Sequence, residues 1–98
     1  MDMEALMQNA KNLQTRIAEA QNELAKMHVK GIAGNGSVVV DMTGKYDLVS
    51  VTISPDVMLM TAAAVSNLVA DAYRDAKEKA DVLIDEMMTK ASGGMLPK

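Results

Sequence analysis

The feature that most constrains this chain is an apolar seam at its start. Met3, Leu6, Ala10, Leu13, Ile17, Ala20, Leu24 and Met27 follow alternating steps of three and four. That spacing puts all eight on one stripe of an α-helix over about residues 3–27, a rod of roughly 37 Å at 1.5 Å per residue. The flanking positions of the seam carry a weak charge code. Met7, Gln14 and Gln21 lie on one side, and Asn9, Arg16 and Glu23 on the other. A free parallel coiled coil uses complementary charges there, so the expected partner is another helix or a sheet. Ala10 and Ala20 let that partner come close.

After the seam the period changes to two. Val38, Val40 and Met42 alternate with Ser37, Val39, Asp41 and Thr43, and Val49, Val51 and Ile53 alternate with Leu48, Ser50 and Thr52. These patterns predict half-buried strands over about 37–43 and 46–54, with a shorter strand at about 28–33. Turns at Gly34-Asn35-Gly36 and Gly44-Lys45 are short, so the three strands form an antiparallel meander. Ser54-Pro55-Asp56 stops the sheet, because proline cannot continue a central strand. An apolar connector, Val57 to Met60, leads to Thr61, an N-cap for a second helix over about 61–90. The chain therefore reads as a single α+β domain over 1–91, ordered α-β-β-β-α, with 92–98 as a flexible tail.

The first half of the second helix is apolar on several sides: Ala62, Ala63, Ala64, Val65, Leu68, Val69, Ala72, Tyr73 and Ala76. Such a helix is covered on more than one side, and one small sheet is not enough, so a second subunit is implied. Val65, Leu68, Val69, Ala72 and Tyr73, with Val49, Val51 and Ile53 of the third strand, are the expected interface between subunits. Further along, Arg74–Glu78, Asp75–Lys79 and Lys77–Asp81 have the spacing of exposed helix ion pairs.

The glycines of "GIAGNG", Gly31 to Gly36, pose a choice between a phosphate cradle and a turn. Cradles place glycines between a strand and a helix whose N-terminus faces the phosphate. Here a strand follows, and no Gly-Lys-Ser/Thr appears, so the segment reads as a hairpin turn. No other motif asks for a cofactor. The chain has one histidine, His28, and no cysteine, which excludes thiol chemistry and the ligand spacings of zinc sites. His28 falls where the first helix meets the first strand and reads as structural. No enzyme is expected. The N-terminal "MDMEALMQNA" is acidic and does not resemble a signal peptide, and no apolar run reaches membrane-spanning length. A soluble, cytoplasmic protein without membrane contact is expected.

These segments also carry a resemblance. "VKGIAGNGSVVVDMTG", "VTISPDVM", "LVADAYRDAKEK" and "SGGMLPK" resemble the motifs of the YbaB/EbfC family of bacterial nucleoid-associated proteins, and the likeness runs over nearly the whole chain. In the second helix Leu68, Val69, Ala72, Tyr73, Asp75 and Ala76 match the family pattern, whereas "MTAAAVSN" is less charged than the corresponding stretch of relatives. The resemblance implies an intertwined homodimer whose long helices project like tweezers. It also implies binding of double-stranded DNA with little sequence preference and association with the nucleoid, with effects on nucleoid organisation, gene expression or recombination.

Duplex binding requires cations facing phosphates. The net charge is −3, so any binding must use local patches. Lys26, Lys30 and Lys45 form the leading set, at the helix end and sheet edges, where two-fold symmetry could gather their copies. Lys11, Arg16, Arg74 and Lys77 are further candidates, although Lys11 and Arg16 lie about 140° apart on an ideal helix and acidic residues crowd Arg74 and Lys77. The chain has no Trp or Phe and only two Tyr, which leaves no stacking platform for single strands. The alternative is a protein-interaction module, in which the Met-rich connector Val57 to Met60 offers an apolar surface to recombination or replication proteins.

Overall fold

A computed structural model of the chain describes residues 2–91. Helix α1 (Met3–Lys26) leads into strands β1 (His28–Ala33), β2 (Val38–Thr43) and β3 (Leu48–Ile53), and helix α2 (Ala62–Ala91) closes the chain. Short 3₁₀ turns at Gly34–Gly36 and Pro55–Leu59 separate β1 from β2 and β3 from α2. The sheet is an antiparallel meander in the order β1-β2-β3, as the sequence periods predict. The expected tail, 92–98, lies outside the described residues.

Local chemistry fixes the ends of these elements. The Asp2 side chain accepts a hydrogen bond from the Glu4 N–H and caps α1, satisfying one of the donors a helix start leaves unpaired. Gly34, Asn35 and Gly36 take φ of +60°, +56° and +92°, a left-handed run that two glycines and an asparagine tolerate. β3 starts at Leu48 and not at Tyr46. Tyr46 itself has φ of +69°, and the turn closes through the Thr43 N–H on the Asp47 carbonyl at 2.9 Å, so residues 44–47 are spent on reversal.

One face of the sheet builds the core. Val38, Val40 and Met42 are at most 1% exposed and pack with Ala72, Ala76 and Ala80 of α2 and with Val57. Gly31 is what lets α2 come this close to β1. A Cβ there would lie 1.9 Å from the Ala72 carbonyl oxygen and 2.7 Å from the Ala76 Cβ. The first glycine of "GIAGNG" thus serves helix packing, and the turn uses only the other two. Gly44 plays the matching part for α1. Its N–H donates to the Leu24 and Met27 carbonyls, both at 3.0 Å, and any Cβ would meet the Leu24 carbonyl at 2.7 Å.

Two expectations need correction. β3 is not half-buried: Leu48, Val49 and Val51 are 56%, 51% and 38% exposed, and only Ile53 is partly covered. The alanine stripe and Gly31 draw α2 over β1 and β2, so β3 is left bare. The heptad seam, likewise, is fully covered only near its end, with Leu13, Ile17 and Met27 half-buried. Ala20 and Leu24 are buried, and Leu24 lies beside Ile84 and Met88 of α2, while Met3 and Leu6 are 71% and 45% exposed. The first half of α1 is largely exposed, in a molecule that measures 68 × 23 × 17 Å with the helix included.

Candidate nucleic-acid interface

The structure divides the seven candidate cations into two groups. Arg74 and Lys77 are neutralised on their own helix. Arg74 pairs with Asp71 at 3.1 Å, one turn back, and not with Glu78 as its spacing suggested. Lys77 pairs with Asp81 at 3.4 Å and lies 5.5 Å above the Tyr46 ring. Lys11, Arg16, Lys26, Lys30 and Lys45 make no ion pair with any described residue.

Three of the five free cations lie on elements that meet at the junction of α1 and the sheet. Lys26 ends α1, where a positive charge complements the helix dipole. Lys45 sits in the β2–β3 turn, which Gly44 ties to that same helix end. Its neighbour Tyr46 ties the turn to α2 as well, its hydroxyl donating to Asp81. The Tyr46 hydroxyl, and then Lys77, hold the Asp81 carboxyl below the usual carboxylate range, and the same contact pushes the Tyr46 hydroxyl up. Held by both helices, the turn gives Lys45 a fixed base. Lys30 lies opposite Asp41 on the sheet face turned away from α2. That Asp41 is engaged by His28, whose Nδ1 is 2.7 Å from an Asp41 oxygen, so His28 acts in holding the open sheet face. Lys11 and Arg16 are exposed further back along α1.

Of the eight expected inter-subunit residues, Val51, Val65, Val69 and Tyr73 line one surface and the other four do not. Val51 and Leu48 of β3 and Val65, Val69 and Tyr73 of α2 line an open apolar groove of about 590 Å³ floored by Val40. Tyr73 is 42% exposed. Val49 does not line the groove: it is skipped at an irregularity in register, where Met42 pairs with Leu48 and Asp41 with Ser50, and Leu48 lines the groove instead. Leu68 and Ile53 pack partly on the core. Ala72 is fully buried against β1 and is spent within the chain.

One arrangement has no signature in the sequence. Asp75 and Lys79 are a helix pair at 3.0 Å, as their spacing predicts, but both also reach the backbone of β1. The Ile32 N–H donates to Asp75 Oδ2 at 2.9 Å, and Lys79 Nζ donates to the Lys30 carbonyl at 2.7 Å. The Ile32 N–H, with Lys79 second, holds the Asp75 carboxyl below its ordinary range. Backbone acceptors carry no side-chain signature, so only the position of α2 reveals the contact.

Among the described residues no group of three or more His, Asp or Glu is placed to hold a metal, and no helix is long and apolar enough to cross a membrane. The arrangement defines a class: a small helix–meander–helix protein with an open apolar groove and a separate corner of unpaired lysines. The chain belongs to the YbaB/EbfC DNA-binding family, whose sequence model matches residues 1–95. It is 35% identical over 99 residues to a nucleoid-associated protein of Hyphomonas neptunium, covering 98% of this chain and 92% of that protein. It is 36% identical to the nucleoid-associated protein A1S_1684 of Acinetobacter baumannii, covering 97% and 91%. A crystal structure of an uncharacterized protein, HP0035, from Helicobacter pylori superposes with a TM-score of 0.64 over 90% of this chain and 98% of that one. At 19% identity that likeness speaks to the fold.

Proposed function

We propose that two copies of this chain associate through the groove between β3 and α2, and that the pair binds double-stranded DNA through its phosphate backbone. The observation that carries the reading is the division of the cations. Arg74, Lys77 and Lys79 are paired with carboxylates, whereas Lys26, Lys30 and Lys45 are left free around one junction. An acidic protein binding a polyanion needs such local concentration, because its net field opposes approach. Pairing two copies doubles the set to six lysines, with Lys11 and Arg16 further back along α1 as outlying contacts. Membership of a DNA-binding family supports the same reading. Binding is weakly sequence-dependent, because lysines on phosphates position a protein and do not read bases. The protein then acts without catalysis, in the cytoplasm on the nucleoid, where it affects DNA organisation, gene expression or recombination.

The occupant of the groove is a second copy for two reasons. β3 presents an exposed apolar face, and its outer backbone edge meets no side chain of the described residues. An open strand edge is a template for another strand, and an identical β3 is always present at equal concentration.

The test is fluorescence anisotropy with a random-sequence duplex, alongside mass in solution. A mass of two chains is expected, and affinity should fall about 10³-fold between about 50 and 200 mM salt for six phosphate contacts. Val51→Glu should yield single chains that bind DNA more weakly. Absence of binding at the lower salt would overturn the DNA reading. A second reading, docking of recombination or replication proteins on the connector, is favoured by Met58, Leu59 and Met60 being 66%, 91% and 48% exposed. Such an apolar contact would be insensitive to salt.

A further inference from the structure

A three-stranded sheet has two edges, and this chain treats them differently. β3 is bare. On β1, Lys30 and Ile32 turn their backbone groups away from β2, and α2 meets them. Lys79 Nζ donates to the Lys30 carbonyl at 2.7 Å, the Ile32 N–H donates to Asp75 Oδ2 at 2.9 Å, and the two side chains bond each other at 3.0 Å. A carbonyl and the N–H two residues later are the two groups that a single residue of an incoming parallel strand engages, its N–H on the first and its C=O on the second. The ammonium of Lys79 takes the place of that N–H, and the carboxylate of Asp75 takes the place of that C=O. Gly31 lies between the two bonded groups, and its lack of a side chain is what brings the short Asp75 side chain within reach.

We propose that the Asp75–Lys79 pair is a side-chain substitute for a strand, which seals β1 and confines assembly of this chain to its β3 edge. This rests on the reading that copies pair through β3. With one open edge per chain, an isologous contact consumes both edges and stops at two copies. With two open edges, each pair could add further strands and grow without closure. Exposed Ile32, 49% accessible on the outer face of β1, would add apolar area to such growth.

The experiment compares the full chain with the double variant D75A/K79A by sedimentation velocity over a range of concentrations, with circular dichroism to check the fold. The wild type should stay at two chains throughout. The folded variant should shift to species larger than two chains as concentration rises. A folded variant that remains at two chains overturns the seal, whereas a wild type of single-chain mass overturns the β3 reading and the proposal with it. Should the variant fail to fold, hydrogen exchange at the Ile32 amide of the wild type decides. Its bond to a charged group should slow exchange on the order of tenfold to hundredfold, unchanged on dilution. Exchange at the rate of an unstructured peptide overturns the proposal.

Discussion

Replacing Gly31 by alanine probes the contact on which the whole arrangement depends. The added methyl would sit 1.9 Å from the Ala72 carbonyl and 2.4 Å from the Ala76 amide nitrogen. Both are backbone atoms, so no rotamer change relieves the clash. Reaching ordinary contact at 3.4 Å requires α2 to retreat by about 1.5 Å. That lifts Ala72, Ala76 and Ala80 off the sheet and stretches the Ile32–Asp75 bond from 2.9 Å. Overpacking typically costs about 1–3 kcal/mol, and more when backbone must move. Stiffening of the unfolded chain returns about 0.4–1 kcal/mol. We expect a net loss of about 3 kcal/mol, or a fall in Tm of about 12–24 °C for a domain of this size. The control is Gly36→Ala, where nothing lies within 4 Å and only the φ of +92° opposes the substitution, a cost of about 1–2 kcal/mol. Both are measured by thermal unfolding at one fixed protein concentration, because self-association contributes to stability. A Gly31→Ala variant as stable as Gly36→Ala would refute the close approach of α2 to β1.

Three more outcomes follow from other contacts. Leu24→Ala, at a side chain 2% exposed between the α1 end and the β2–β3 turn, should cost about 2–5 kcal/mol in denaturant unfolding. Tyr46→Phe removes the hydroxyl that lowers the Asp81 pKa in the folded state and whose own pKa is raised there. The Asp81 contribution is present above its unfolded pKa and lost as pH falls through the folded one. The Tyr46 contribution is present below its unfolded pKa and lost as pH rises through the folded one. The variant should therefore show flatter acid and alkaline limbs in a stability–pH profile. Arg74→Gln should leave duplex affinity unchanged in anisotropy, because that guanidinium is already paired with Asp71.

The alternation of Val38, Val40 and Met42 marked the buried face directly, and the left-handed Gly34-Asn35-Gly36 turn was legible because few other residues adopt those angles. The role of Gly31 was not legible. Its meaning depends on an alanine stripe forty residues away, and small residues look alike whether they face solvent or a neighbouring backbone. The bareness of β3 escaped for a related reason: an alternating strand declares an apolar side but not which molecule covers it. The seam of α1 likewise specified a helix without saying how far its partner extends. Among the cations, sequence spacing identified Lys77–Asp81 and Asp75–Lys79 as pairs, and the fold added that the turn carrying Lys45 is tied to the helix end carrying Lys26, because Gly44 bonds the end of α1.

We propose that free lysines at the α1–sheet junction hold duplex phosphate. The most direct test is the slope of log K against log salt for a random-sequence duplex, measured on the wild type and on K26Q/K30Q/K45Q. Six lysine–phosphate contacts per pair of chains contribute about −5 to the wild-type slope, so the triple variant should be flatter by about 5 at unchanged mass. Equal slopes in the two proteins would place the contacts elsewhere and contradict the account.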